Sequence, residues 1–146
     1  EGGWAITDEA SNSPDQSWTD SPGGNYPPNV NSALTSPPLD FTARSGVRLS
    51  FHHIYDFEGD FDGGWVEVWD GLRWETVALY SEENQNGVWQ PIQLDLPRLS
   101  GVADARIRFR VTSDPGLQRD GWHIDDVVIE AGTPEDLFDD GFEGGN

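Results

Sequence analysis

Apolar and polar residues alternate along several short stretches of the chain, the pattern of β-strands with one buried face. The clearest case is 105–111, where Ile107, Phe109 and Val111 alternate with three arginines, and the same period recurs at 49–55, 65–69, 74–80 and 92–96. Asp70-Gly71 predicts a hairpin turn between two of these strands. No segment keeps a 3.6-residue period, apart from one suggested turn of helix at 134–138. The pattern predicts an all-β fold, an antiparallel jelly-roll β-sandwich.

The segment Gly121-Trp122-His123-Ile124-Asp125-Asp126-Val127-Val128-Ile129 places two acidic residues inside an apolar strand. Trp122 and Ile124 share one face, but 127 and 129 lie an odd number of positions further on. Both pairs can face a core only if the strand bulges at Asp125-Asp126. Ionised carboxylates near a core carry a large desolvation cost unless a positive group pairs with them, and Ca²⁺ is the hard cation that clustered oxygens prefer. The alternative is that both side chains accept hydrogen bonds from loop amides.

Composition limits the function classes. The 146 residues fit one domain, and 27 acidic residues against 8 basic ones give a net charge of −19, which argues against nucleic acid or anionic membrane as a partner. Much of this acidity is also explained as a solvated surface. Because no run of 18 apolar residues occurs, we expect no membrane span. The chain has no initiator Met and no signal peptide, so we expect a processed or excised piece. Cys is absent, so in an extracellular protein calcium would have to stabilise the long loops.

Residues 8–40 contain stretches too rich in Ser, Pro, Gly and Asn to form strands, notably 8–14 and 21–28. Two explanations for an ordered loop remain open here. Loop carbonyls with Asp15 or Asp20 could surround an ion, or Trp18 and Tyr26 could pack on a sheet. A second acidic string, 56–63, fails the spacing of a helix-loop-helix calcium site, and a second ion near Asp62 stays a lesser alternative.

The sequence gives no support for an enzyme. It has no Gly-x-Ser-x-Gly, no His-Glu-x-x-His and no phosphate-binding glycine loop. His52 and His53 are adjacent in a predicted strand and must face opposite sides. The seven tryptophans raise carbohydrate binding instead, because sugars stack on exposed indoles. Trp69 and Trp74, which flank the Asp70-Gly71 turn, are the candidate ligand-binding pair.

In order along the chain, several motifs resemble the MAM-like jelly-roll module that accompanies secreted bacterial proteases of the immune-inhibitor-A and subtilisin-like kinds. The resemblance runs from Trp4 to about Ile129 and rests on Ser17-Trp18-Thr19-Asp20, Asp62-Gly63-Gly64-Trp65, Arg106-Ile107-Arg108-Phe109 and Asp120-Gly121-Trp122-His123-Ile124-Asp125-Asp126-Val127. It implies a non-catalytic, extracellular module with structural calcium. It also implies that a Phe-Glu carboxylate from a first strand meets the Asp-Asp pair at the ion.

The Phe-Glu motif is clipped at the front, where the chain begins Glu1-Gly2-Gly3, and complete at the back as Phe142-Glu143-Gly144-Gly145. The predicted calcium ligands are therefore Asp126, Asp125, Asp20 and either Glu1 or Glu143. We divide the chain into a module over 1–131 and an acidic, Gly-rich tail over 132–146.

Two functions follow from these expectations. In the first, copies of the chain assemble head to tail into a filament, because an unfilled sheet edge accepts a strand from another chain. Leu137, Phe138, Phe142 and Glu143 would supply that strand. In the second, the chain is an accessory domain of a secreted protease or hydrolase, which aids folding or binds protein or carbohydrate substrate.

Overall fold

A computed structural model of the chain describes residues 4–7, 10–11, 13, 16–59, 62–81, 88–116 and 119–132. These residues form nine β-strands and a single 3₁₀ turn at Pro97–Leu99. The strands are β1 (Ala5–Thr7), β2 (Ser17–Thr19), β3 (Asn31–Thr35), β4 (Ser45–Asp56), β5 (Gly63–Trp69), β6 (Trp74–Tyr80), β7 (Gln90–Asp95), β8 (Arg106–Thr112) and β9 (Gly121–Gly132).

The strands form two antiparallel sheets that pack face to face as a β-sandwich of the jelly-roll kind. One sheet has the order β1-β2-β9-β4-β7 and the other β3-β8-β5-β6. This confirms the predicted fold class. The five strands read from alternation correspond to β4 to β8, and β5 and β6 pair across the predicted Asp70-Gly71 turn.

The core lies between the sheets and is built around the fully buried Trp122 of β9. The rings of Phe57 and Phe109 meet its indole edge to face, with centroids 6.3 and 5.6 Å away. Gly64 of β5 lies directly over this indole, because a Cβ built there would stand 2.5 Å from a ring carbon. Trp122 therefore needs glycine at position 64.

Of the two alternating sets of side chains in β5, the valines face the core. Val66 and Val68 are fully buried, whereas Trp65 and Trp69 lie half-buried on the outer face of the sheet. Glu67 shares that outer face, but Arg108 and Arg110 cover it so completely that only 4% of the residue is exposed.

Alternation did not predict β1, β2 and β3, which are short and lie within or before the Ser/Pro/Gly-rich region. Residues 21–28, which were predicted not to form strands, contain turns and no strand. Tyr26 is buried there, and Trp18 packs against the core from β2. Side-chain packing of Trp18 and Tyr26, one of the two explanations left open, thus operates in this region. The helical turn suggested at 134–138 lies outside the described residues.

Candidate functional site at the bulge of β9

The predicted bulge at Asp125-Asp126 is present. Between Ser50 and His52, β4 advances two residues, while the partner residues on β9 run from Val128 to Asp125, three residues. Asp126 takes up the extra residue with a φ of 55°, in the left-handed region that Asp tolerates better than most side chains. The bulge shifts the parity of the strand, so Val127 and Ile129 point toward the inter-sheet side, as Trp122 and Ile124 do further back.

The two carboxylates of the bulge have protein donors. The Ser13 amide donates to Oδ2 of Asp125 at 2.8 Å, and its hydroxyl donates to Oδ1 of Asp126 at 2.7 Å. Oδ1 of Asp125 accepts the Asp126 amide at 2.8 Å, and Nδ1 of His52 lies 3.4 Å from Oδ2 of Asp126. The alternative of hydrogen bonds from loop amides is therefore realised at Asp125, although a carboxylate oxygen that accepts one such bond keeps capacity for a cation.

Asp20 does not lie beside the bulge. Thr19 pairs with His123, and Oδ1 of Asp20 accepts the Trp122 amide at 2.8 Å. Trp122 is four residues from Asp126 along β9, or about 13 Å at the rise of a strand. Asp20 is 3% exposed, its Oδ2 has no hydrogen-bond partner, and burial raises the pKa of its carboxyl to about 7. The structure thus separates Asp20 from Asp125 and Asp126, with which sequence analysis grouped it.

An apolar groove opens beside the bulge, between the two sheets. Its volume is about 240 Å³. One wall comes from Trp18, Leu49, Val127 and Ile129 of the first sheet, and the other from Leu34 to Pro37, Ile107 and Phe109 of the second. Val127 is 40% exposed here, although it points to the inter-sheet side. An adjoining depression of about 320 Å³ is lined by Asp125 and Asp126 and shares Trp18 and Val127 with the groove, so the acidic and apolar surfaces are continuous.

One edge of β9 borders this groove. β2 pairs with β9 at His123 and Ile124, and β4 pairs with the opposite edge as far as Gly132. Along 127–132, the edge away from β4 meets no strand among the described residues. Across the groove, β3 is also an edge strand, paired with β8 on one side. The groove therefore lies between two sheet edges that could each accept a strand.

A second acidic group lies in the loops between β4 and β5 and between β8 and β9. Glu58, Asp62 and Asp114 each offer a carboxylate oxygen within 4.8 Å of the others, an arrangement that could hold a metal ion. The Asp62 carboxylate accepts the Tyr26 hydroxyl at 2.5 Å and the Asp114 amide at 2.9 Å. Oε1 of Glu58 is buried without a hydrogen-bond partner, and burial together with the charges of Asp114 and Asp62 raises the pKa of Glu58.

The sequence predicted only part of this group. A second ion near Asp62 was the lesser alternative, with no ligand role for Glu58 or Asp114. The acidic string at 56–62 contains the signal for Glu58. Asp114, by contrast, is 52 positions from Asp62, and only the pairing of β5 with β8 brings the two together.

Trp69 and Trp74 lie at the tip of the β5–β6 hairpin, both half-buried, with ring centroids 5.7 Å apart. The Arg108 guanidinium covers Trp74, with its Cζ 3.8 Å from the ring centroid. The pair lines a shallow depression of about 220 Å³ together with Asp104 and Arg106. Neither indole is fully buried, so both remain accessible in part to a ligand.

The remaining predicted site residues, Glu1, Leu137, Phe138, Phe142 and Glu143, lie outside the described residues, as does Asp15. Of the histidines, His53 is fully buried, and its Nδ1 accepts the Trp122 indole N–H at 3.0 Å. Burial lowers the pKa of His53 to about 4. Core packing therefore accounts for His53.

Within the described ranges, no helix has both the length and the apolar character that a membrane-spanning helix needs. No protein-family model matches the chain. The chain is 32% identical over 108 residues to Bacillopeptidase F of Bacillus subtilis (strain 168). That alignment covers 73% of the chain but 7% of Bacillopeptidase F, so the chain corresponds to a small segment of this relative.

Solved structures with the same fold include the K2 cleaved adhesin domain of Lys-gingipain, with a TM-score of 0.61 and 13% identity over 90% of the chain and 83% of the domain. Another is TmCBM61, solved in complex with β-1,4-galactotriose, with a TM-score of 0.57 and 13% identity over 88% of the chain and 81% of that structure. The chain is thus a β-sandwich that shares its fold with adhesin and carbohydrate-binding modules and is similar in sequence to a segment of Bacillopeptidase F.

Proposed function

We propose that the chain is a non-catalytic, extracellular β-sandwich module that serves as an accessory interaction domain of a larger bacterial peptidase. The observation that carries this proposal is the 32% identity to a segment that makes up 7% of Bacillopeptidase F. A segment of that size accompanies a much longer polypeptide. Adhesin and carbohydrate-binding modules with the same fold support a binding role rather than a chemical one. The MAM-like assignment made from the motifs is consistent with such an accessory role and stays a proposal.

The accessory role can be tested in Bacillopeptidase F itself. Deletion of the matching segment should lower the yield of folded enzyme or the cleavage of protein substrates, while kcat/KM for a short chromogenic peptide stays unchanged. Insertion of this chain in its place should restore the lost property. Peptide hydrolysis by the isolated chain would contradict the proposal, and so would loss of short-peptide hydrolysis on deletion.

We also propose that the module binds structural calcium. Two groups of carboxylates support this. Asp125 and Asp126 meet at the bulge, where Glu1 or Glu143 would add a third carboxylate. Glu58, Asp62 and Asp114 already converge within 4.8 Å. Like charges this close cost free energy unless a cation lies among them, and burial first, then the charges of Asp114 and Asp62, raise the pKa of Glu58. In a chain without cysteine, an ion joining distant loops would stabilise the fold as a disulfide does in other secreted modules.

Carbohydrate is the ligand class that the Trp69–Trp74 surface fits best. Trp69 and the part of Trp74 that Arg108 leaves uncovered offer indole surface for stacking, and Asp104 and Arg106 beside them offer hydrogen-bonding groups for hydroxyls. Trp74→Ala should abolish binding of a neutral oligosaccharide such as β-1,4-galactotriose in isothermal titration calorimetry. Trp65→Ala, which alters the same sheet face further from the depression, serves as the control. Absence of heat for a broad panel of oligosaccharides on the unaltered chain would contradict a carbohydrate role.

A second candidate function is head-to-tail self-association by strand addition. The edge of β9 along 127–132, which pairs with no strand that the structure describes, and the apolar groove beside it favour this candidate, because such an edge is a template for another chain. Residues 137–145 of one copy would supply the strand, and a contact of this kind that does not close gives a filament. Light scattering at high protein and calcium concentration tests it, and a monomer under those conditions would contradict it.

A further inference from the structure

Within the described part of the chain, no strand pairs with the edge of β9 along 127–132 that faces away from β4, and the apolar groove lies beside this edge. Val127 and Val128 are 40% and 46% exposed, although both belong to a strand that is otherwise central in its sheet. A central strand normally pairs on both edges, and apolar side chains at an open edge are usually covered. The geometry points to a single occupant, the chain's own C-terminal segment 137–142, which we propose pairs antiparallel with β9 as an additional strand.

The position of the C-terminal segment supports this choice. The described part of β9 runs to Gly132, at one end of this edge, and fourteen residues of the sequence follow it. A loop of four residues, 133–136, is a common hairpin length, and Pro134 suits a turn. Tethering by so short a loop gives the segment a far higher effective concentration at this edge than a second copy would have.

The side-chain period then fixes which tail residues face the groove. Val127 and Ile129 line it, so the groove side of β9 carries the odd positions. A four-residue loop sets Gly132 opposite Leu137 and Val127 opposite Phe142. Phe138, Asp140 and Phe142 would then face the groove, whose opposite wall includes Leu34 to Pro37. A hairpin loop that is shorter or longer by two residues would point the same tail residues toward the groove.

The same pairing brings a further carboxylate to the bulge, because Glu143 would stand opposite Asp126. This step rests on the calcium proposed above, since an additional acidic side chain there needs a cation. The strand pairing itself does not require the accessory role or the carbohydrate surface, so it can succeed or fail independently of them.

A disulfide test suits a chain that contains no cysteine. Glu130 is exposed on the solvent side of β9, and the proposed pairing places Asp139 directly opposite it. Residues opposite one another in antiparallel strands have Cβ atoms about 4.5–5.5 Å apart, near the range that a disulfide spans. The full-length variant Glu130→Cys/Asp139→Cys should form an intramolecular disulfide in most molecules under mild oxidation at low protein concentration.

The matched control is Glu130→Cys/Asp140→Cys, in which the second cysteine moves by one residue to the groove side and should stay reduced. Thermal unfolding before oxidation checks that both variants fold like the unaltered chain. Equal oxidation of the two variants, or none, would overturn the proposal. Disulfide-linked dimers or higher oligomers of the Glu130→Cys/Asp139→Cys variant would also overturn the proposal and would favour strand exchange between copies. Oxidation in calcium compared with a chelator tests the ion separately.

Discussion

Asp20 carries a carboxyl group into the core region next to the first residues of β9. Its Oδ1 accepts the Trp122 amide, and Gly121, with a φ of +85°, leaves room for the carboxyl where a Cβ would collide with it. Burial raises the pKa of Asp20 from 3.8 to about 7. The folded state therefore holds a proton that the unfolded state releases between these pH values, so stability falls across that interval as pH rises.

Asp20→Asn should remove this pH dependence. The amide oxygen can still accept the Trp122 amide, but no charge has to be buried at neutral pH. We expect the variant to gain about 2–4 kcal/mol relative to the unaltered chain at pH 8 and little or nothing at pH 3.5. Urea unfolding at the two pH values, in a chelator, measures the difference. The control, Glu130→Gln, changes an exposed carboxylate by the same charge, and a gain for Asp20→Asn that does not vary with pH would contradict the argument.

The pKa of Glu67 is lowered rather than raised in the folded state, so its effect on stability has the opposite pH dependence. Its carboxylate accepts a hydrogen bond from Nε of Arg108 at 2.7 Å. It also accepts hydrogen bonds from Nε and Nη2 of Arg110 at 2.8 and 2.7 Å. The hydrogen bonds from Arg110 are the largest of the effects that lower the pKa of Glu67 to about 2. Stability from this group is present above pH 4.5 and is lost as pH falls toward 2.

Glu67→Gln should therefore destabilise the protein by about 2–3 kcal/mol at pH 7, because it leaves two partly buried guanidinium groups without their counter-charge. The cost should shrink at pH 2.5. Glu75→Gln, on the neighbouring strand and paired with the exposed Arg73, should change stability by less than about 1 kcal/mol. If urea unfolding at pH 7 gives equal losses of unfolding free energy for the two variants, Glu67 contributes no more to stability than the more exposed Glu75.

At the scale of elements, β9 is the strand whose local geometry could be predicted in most detail from the sequence. A parity mismatch between Trp122-Ile124 and Val127-Ile129 predicted the bulge, because a strand has a strict period of two. The short strands β1, β2 and β3 were missed. A strand of three to five residues is too short for apolar and polar positions to show a clear alternation. The pairing of β2 with β9 and of β3 with β8 stabilises these short strands.

The structure places Asp20 away from the bulge for a related reason. Sequence order shows that a loop residue can approach a strand, but register decides where along the strand it lies. The pairing of Thr19 with His123 places Asp20 at the beginning of β9, away from the bulge. The convergence of Glu58, Asp62 and Asp114 likewise depends on cross-strand pairing that no local pattern encodes.

Calcium binding makes a prediction that separates the two acidic groups. If the bulge binds the ion, calcium should raise the Tm of the unaltered chain by several degrees, and Asp126→Asn should lose that gain while its Tm in a chelator stays nearly the same. Asp114→Asn makes the same test of the Glu58–Asp62–Asp114 group. Differential scanning calorimetry with and without a chelator measures both, and an unchanged Tm of the unaltered chain would contradict calcium binding at either place.

At the scale of the whole molecule, the edge of β9 along 127–132 interrupts an otherwise central strand, because no strand of the described residues pairs with it. The groove between β9 and β3 joins an acidic bulge to an apolar surface, and the sequence that follows Gly132 contains two phenylalanines and five acidic residues. An accessory module closed by its own tail would present the Trp69–Trp74 surface to ligands while it stays monomeric. A module that exchanges tails would instead form an assembly.

Hydrogen exchange along β9 tests this account most directly. In the intact chain, the backbone amides of 127–132 that point away from β4 should be protected by the additional strand, and removal of residues 133–146 should expose them without affecting the amides that point toward β4. Exchange of the outward amides in the intact chain as fast as in the shortened one would contradict the account.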